Sequence, residues 1–282
     1  MTIKIGSEQY AWVMAGCIDP KDPYYNKVDD MWRLVGKAGF QGFEPIDKFM
    51  FDMYDAGKMS EVIKETGVNL ASIVLLDDWL NPQETDEERA ASDKIINILA
   101  EYFPDTVLMP CQMPTTRVES ELDERQKNLI SCINEISKRA ADKGIKCSYH
   151  PNSPDTSIWR TEEDYLKLLP QLDSSVLKWT PDVGHIAKGG MDPRKLMRDY
   201  KDLINHVHYK DMTDDGEWAL MGEGIIDFKG LTEDLVEYNY DGWIIVEDEC
   251  PRSENEPDTV TIECGDYSKD VIFPIVQQAK SA

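Results

Sequence analysis

The stretch Leu177–Gly190 reads LKWTPDVGHIAKGG, and Ile204–Asp211 reads INHVHYKD. Each begins as a short run rich in apolar or β-branched residues and ends on aspartate, histidine or lysine, the signature of a strand that delivers polar side chains at its C-terminal end. Working outward, eight short apolar or β-branched runs are found: Ile3–Ile5 with an extension toward Trp12, Gly42–Ile46, Leu70–Leu76, Thr106–Pro110, Ile145–His150, Leu177–Asp182, Ile204–Lys210 and Trp243–Glu247.

Between the runs lie amphipathic segments. In Glu87–Tyr102, Ala91, Ile95, Ile98 and Leu99 fall on one helical face, and in Glu121–Lys143 Leu129, Ile133 and Ile136 do so. Thr85 precedes the first as a capping residue, and Gly39, Gly67 and Gly144 stand where helices must stop before strands begin. Eight alternating βα units predict a parallel sheet closed into a (β/α)8 TIM barrel, a fold of about 250 residues that occupies residues 1–282 as one domain. No Ser/Gly-rich linker or internal repeat divides the chain. The polar segment Asp248–Gly265 after the eighth run reads as a long rim loop.

Fifty-four acidic residues against 30 basic ones give a net charge of −24, which repels phosphate backbones and anionic membranes and excludes nucleic acid as a partner. The six cysteines form no CxxC pair and the chain is too large to need disulfide staples, so a reducing cytoplasm is the expected setting. The sequence has no apolar run of membrane-spanning length and no apolar leader run. No phosphate-binding or dinucleotide fingerprint appears, since Gly189-Gly190 and Gly222-Glu223-Gly224 lack the spacing.

All four histidines, His150, His185, His206 and His208, lie in the second half, three of them at or beside strand C-termini, where Asp182 and Glu247 also fall. Four successive strands thus each bring one metal-competent side chain to one rim: His150, Asp182, His208 and Glu247. Alternation puts Trp243, Ile245 and Glu247 on one face, and His206, His208 and Lys210 on one face. A carboxylate in such a run is costly to bury unpaired, and a metal or a cationic partner resolves the cost. Singly, each has an ordinary reading: Asp182 as a helix cap, Glu247 paired with Lys210, His150 bonded within its loop, and His206 as a core residue.

Asp182-Val183-Gly184-His185, His208-Tyr209-Lys210-Asp211, Gly222-Glu223-Gly224-Ile225-Ile226-Asp227-Phe228 and Val246-Glu247 resemble the xylose-isomerase-like barrel superfamily of sugar isomerases, ketose 3-epimerases, inosose dehydratases and sugar lyases. The resemblance runs from Gly39-Phe40-Gln41-Gly42-Phe43-Glu44 onward and is clearest over residues 145–249. It implies a metal held by an acid of strand five, Asp182, His208 and Glu247, with His185 facing the substrate. Strand five departs from that pattern: Cys147-Ser148-Tyr149-His150-Pro151-Asn152 places a histidine where epimerases have glutamate. Two-carboxylate epimerisation is thereby disfavoured, and the Tyr-His-Pro run is more similar to inosose dehydratases and to barrel enzymes that cleave keto-glycosides or C-glycosides by β-elimination.

The expected chemistry is proton abstraction beside a carbonyl with enolate stabilisation. A two-His, two-carboxylate set suits Mn²⁺, Co²⁺, Fe²⁺ or Zn²⁺ better than Mg²⁺ or Ca²⁺, and the resemblance favours Mn²⁺. Glu247, His150, His185 and Lys210 are the expected catalytic groups. Glu44, Gln112, Asn152, Glu223 and Trp12 are the expected substrate contacts, for a small sugar, keto-sugar, cyclitol or glycoside. The rivals are a sugar isomerase or ketose 3-epimerase, and a non-catalytic sugar-binding or accessory subunit. A homo-oligomer, or a complex with a small partner subunit, is expected from the resemblance.

Overall fold

The computed structural model describes residues 2–113 and 117–281. Eight principal strands appear: β1 Lys4–Glu8, β2 Gly42–Glu44, β3 Ser72–Asp77, β4 Val107–Gln112, β5 Cys147–Tyr149, β6 Leu177–Trp179, β7 His206–Tyr209 and β8 Trp243–Val246. The run Leu70–Leu76 is divided at Ala71, its first residues forming a two-residue strand Asn69–Leu70. Strands five and six stop sooner than the sequence suggests, so His150 and Asp182 stand just beyond their strands. The residues cluster into two compact units, 1–71 with 207–282, and 72–206.

In the first unit the order is Asn69–Leu70, β2, β1, β8, β7, and the pairs β1–β2 and β1–β8 are parallel. Helix Val28–Ala38 buries Val28, Met31, Trp32, Val35 and Ala38, the i, i+3, i+4, i+7 stripe of an amphipathic helix. Its left-handed Gly39, at φ 93°, stops it before β2. Trp32 donates from Nε1 to the Val68 carbonyl at 3.1 Å and packs edge-on against Phe43 of β2.

The segment expected to be a rim loop, Asp248–Gly265, is instead largely helical: a 3₁₀ turn Pro251–Glu254 precedes an α-helix Pro257–Tyr267. The reason is local. Pro257 opens the first turn, where its missing N–H is no loss, and Val260, Thr261 and Cys264 fall on one buried face. Gly265 lets that helix approach closely, since a Cβ there would sit 2.4 Å from the Ala38 carbonyl oxygen.

The second unit is a parallel sheet in the order β3, β4, β5, β6. Helix Asp86–Tyr102 starts on a capping box formed by Thr85 and Glu88, and helix Leu122–Ala141 buries Leu129, Ile133 and Ile136 as its periodicity requires. Among the described residues no helix is long and apolar enough to cross a membrane.

Candidate active site

In the first unit, the register aligns Lys4 with Trp243, Gly6 with Ile245 and Gly42, and Glu8 with Glu44. Because side chains alternate along a strand, these residues share one face, and it is layered. Lys4 and Trp243 occupy the N-terminal end, with the lysine Nζ 4.8 Å from the indole centroid. Gly6, Gly42 and Ile245 form the next layer. Here the glycines are steric necessities, since a Cβ on Gly42 would meet the Trp243 ring at 2.6 Å and one on Gly6 the Ile245 Cδ1 at 2.8 Å.

The C-terminal layer is charged and buried. His208, at the end of β7, has Nε2 3.0 Å from Glu44 Oε1 and Nδ1 3.0 Å from Glu247 Oε2, with Glu8 Oε2 3.9 Å away. Lys210, only 1% exposed, donates to Glu247 Oε1 at 2.7 Å and also pairs closely with Glu249. Its Nζ lies 4.3 Å from the Trp218 ring and 5.6 Å from that of Tyr10. Trp218 is carried by a short antiparallel hairpin, Asp211–Met212 with Trp218–Ala219, that the sequence reading does not anticipate. Asp211 shapes the following turn by accepting from the backbone N–H groups of Met212, Gly222, Gly224 and Ile226.

Burial and the facing carboxylates of Glu247 and Glu44 hold the Glu8 carboxyl well above the ordinary carboxylate range. Burial, only partly offset by Lys210 and reinforced by Glu247, pushes Glu249 up to about 7. Burial alone would lower the His208 imidazole, but Glu44 and Glu247 override it and raise it to about 10. Glu8 and Glu249 are missing from the sequence-derived candidates. The signal for Glu8 is the alternation Lys4, Gly6, Glu8 in a strand longer than the run Ile3–Ile5.

In the second unit, His150 bridges to Cys111 of β4, with its Nδ1 3.4 Å from the thiol Sγ and its Nε2 3.5 Å from Asp182 Oδ2. Asp182 also caps helix Val183–Lys188, accepting the His185 N–H at 2.8 Å, so the ordinary reading of this residue holds beside its place next to a histidine. His185 Nδ1 accepts from the Ser153 backbone N–H at 3.2 Å and lies 2.7 Å from Ser153 Oγ. That acceptor role places a neutral ring's proton on Nε2, which lies 4.0 Å from Asp182 Oδ2. His206, expected in the core, lies 3.2 Å from Ser72 Oγ through Nε2 and is buried.

The expected hydroxyl binders are placed variously. Gln112 donates to Asn152 Oδ1 at 3.2 Å and Ser157 Oγ at 3.0 Å, Asn152 donates to the Gln112 carbonyl at 2.8 Å, and Tyr149 bonds to Gln112 Oε1, so the two amides brace the loop after β5. Arg117 supports the same loop, donating to the Ser157 carbonyl at 3.0 Å and to Asp164 at 2.9 Å. Trp12 is fully buried, donates to Asp258 at 2.8 Å and meets Phe43 edge-on. Glu223 is exposed, on the turn that wraps Asp211.

The alternating strands and helices and the acid–histidine clusters at strand ends define a class of α/β enzyme, and comparison with known proteins names the family. A family model described as xylose isomerase-like TIM barrel matches residues 32–264, and the chain belongs to that family. It is 31% identical to an inosose dehydratase of Clostridium tetani (strain Massachusetts / E88), over 94% of this chain and 96% of that protein. An inosose dehydratase of Clostridium botulinum (strain Alaska E43 / Type E3) is 25% identical over 83% and 86%. Among solved structures, the IOLI protein with a binding zinc atom superposes with a TM-score of 0.71 at 16% identity, covering 98% of this chain and 99% of that one. The 3-keto-D-glucoside 4-epimerase YcjR from E. coli gives 0.70 at 21% identity over 95% and 100%. The fold is therefore the (β/α)8 TIM barrel expected from the sequence.

Proposed function

We propose that this chain, as one barrel domain, is a divalent-metal-dependent dehydratase of a keto-cyclitol or keto-sugar, acting by proton abstraction beside the carbonyl followed by loss of a β-hydroxyl. The observation that carries the reading is a buried cluster of metal-competent groups in the first unit. Among the described residues the buried or nearly buried carboxyls of Glu8, Glu44, Glu247 and Glu249 gather around His208 and Lys210. So many buried ionisable groups are expensive to hold without partners, and a cation is one partner that oxygen and imidazole donors suit. Resemblance to inosose dehydratases over most of the chain supports the substrate class.

Buried donors of the kind a transition-metal cation takes are present in each unit, His208 and Glu247 in the first and His150 and Asp182 in the second. Mn²⁺ is the favoured ion, with Zn²⁺, Co²⁺ and Fe²⁺ as alternatives. A bound cation would polarise the substrate carbonyl and stabilise the enolate charge.

Within that frame each side chain has a role. Glu247 takes the proton from the carbon beside the carbonyl, and Lys210, donating to its Oε1, orients that carboxylate and keeps it ionised until the proton arrives. His185, held by Ser153 so that Nε2 carries the proton, gives that proton to the departing hydroxyl. The C–O bond breaks as the enolate collapses, and water leaves. The test is incubation of the metal-loaded chain with inosose in D2O. Stoichiometric formation of the dehydrated diketone, abolished in Glu247→Gln, is the expected result. Deuterium incorporation or a change of configuration without loss of water would replace it with the epimerase reading. No turnover and no stoichiometric metal would leave a sugar-binding subunit.

A further inference from the structure

We propose that Trp218 is a positioning residue for the reaction: its indole face holds the Lys210 ammonium at the place from which Lys210 orients Glu247. This assignment rests on the dehydratase reading above, in which Glu247 is the base. A lysine ends a flexible stem in a compact charge with rotatable N–H donors, so its place is set by what surrounds it. The Lys210 side chain is buried, and its Nζ donates to Glu247 Oε1 at 2.7 Å and also to Glu249 Oε1. Two carboxylates that compete for one ammonium do not by themselves decide how it divides between them. The indole adds a third constraint, because its centroid lies 4.3 Å from Nζ, well inside the reach of about 6 Å over which a cation is drawn to an aromatic face. The Tyr10 ring, at 5.6 Å, stands near the limit of that reach.

Trp218 is suited to this task because the hairpin that carries it is pinned at both ends. At the tip, the Thr213 N–H donates to the Glu217 carbonyl at 2.8 Å and the Glu217 N–H donates to Thr213 Oγ1 at 3.1 Å. Gly216, at φ 90°, supplies the left-handed residue that this tight turn requires. At the base, the Asp211 carboxylate accepts from the N–H groups of Gly222 and Gly224 at 2.9 Å and of Ile226 at 3.2 Å. The closure leaves no slack, since a Cβ on Gly224 would lie 2.2 Å from Asp211 Oδ1. Trp218 is half-buried, whereas the ammonium beneath it is hidden from solvent. A ring so braced is a fixed wall, and the lysine is the partner that must conform to it.

The experiment compares steady-state dehydration of inosose by the metal-loaded full chain in the wild type, Trp218→Leu, Trp218→Phe, Lys210→Met and the double variant Lys210→Met/Trp218→Leu. The ¹H–¹³C resonance of the Lys210 Cε methylene is recorded in metal-free samples of the first three. Trp218→Leu keeps apolar bulk and loses the ring, so kcat should fall about tenfold with KM within about twofold. Trp218→Phe restores an aromatic face and should stay within about threefold of the wild type. Once Lys210 is methionine, losing the indole should cost nothing further in kcat. The ring current should hold the Lys210 resonance upfield in the wild type and in Trp218→Phe, and release it in Trp218→Leu. If the wild type forms no dehydrated product, the dehydratase reading and this assignment fall together. If the wild type turns over and Trp218→Leu costs the same factor with and without Lys210, the assignment alone falls. A raised KM at unchanged kcat would make Trp218 a substrate contact and overturn it too. Should Lys210→Met prove too unstable to assay, equal kcat in Trp218→Leu and Trp218→Phe, or a wild-type Lys210 resonance at the ordinary position, would overturn it alone.

Discussion

Replacing Lys210 by methionine keeps the aliphatic stem and removes one charge from the middle of the acidic cluster. In the metal-free protein that charge is 2.7 Å from Glu247 and also pairs with Glu249, in a side chain 1% exposed. Removing one partner of a buried ion pair leaves the other uncompensated, at a cost of about 3–5 kcal/mol. The loss of the ammonium over Trp218 adds about 1 kcal/mol or more. The deficit should depend on pH, with a sign that follows from linkage. Glu249 already titrates at about 7 against an ordinary 4.5, and without Lys210 it is pushed further up. Carboxyls raised in the folded state hold their protons there longer than in the unfolded chain, so the variant loses stability as pH rises from about 4.5 to above 7. Urea unfolding of metal-free wild type and Lys210→Met at pH 5 and pH 8 checks this. The expected difference is about 4 kcal/mol at pH 8 and much less at pH 5. A difference below about 1 kcal/mol at pH 8, or one equal at the two pH values, would refute the reasoning that Lys210 compensates buried charge.

Gly42→Ala should destabilise by about 1–3 kcal/mol through overpacking against Trp243, with partial recovery when Trp243→Leu is added, read from denaturant midpoints. Ser153→Ala removes the hydroxyl 2.7 Å from His185 Nδ1 but leaves the backbone N–H, so kcat should fall about fivefold, the equivalent of about 1 kcal/mol, with the protein's melting temperature little changed. Asp77, at the end of β3, is raised to about 6 by burial and the nearby Glu88, so wild-type stability declines as pH rises from about 4 to 6. Asp77→Asn keeps an oxygen for the Asp78 N–H and should flatten that slope, which thermal melts across the window will show.

The period-two and period-3.6 patterns were sufficient to count the strands and find the long helices, because each element buries a face that its own residues define. Thr85 and Gly39 could be read as boundaries for the same reason: a cap acts on neighbours in sequence. The helix Pro257–Tyr267 escaped because its polar flanks outweigh its few buried residues, Val260, Thr261 and Cys264. Partners escaped more often than positions. That Gln112 and Asn152 bond each other, or that Glu44 meets His208, depends on the register of strands distant in the chain, and no local pattern encodes it. Glu8 shows both effects at once: the strand had to extend to residue 8, and then lie beside Glu44, before its carboxyl joined the cluster.

The histidine at strand five bears on the choice between elimination and epimerisation. Inverting a carbon by proton exchange needs two groups of similar basicity, each able both to take and to give a proton. His150 has its Nδ1 3.4 Å from the Cys111 thiol and its Nε2 3.5 Å from Asp182, an environment unlike that of a strand-end glutamate. Glu247 is different, an acceptor with a lysine at its side, and His185 is different again, a donor fixed by Ser153. The proposed roles, Glu247 as the base and His185 as the acid in distinct environments, suit a reaction in which a proton leaves one atom and another proton arrives elsewhere. Loss of water beside a carbonyl is such a reaction. The prediction that separates it from epimerisation is that His150→Glu, which restores the epimerase-like residue, reduces dehydration while increasing deuterium exchange at the carbon beside the carbonyl. If dehydration were unaffected, His150 would have no part in that choice.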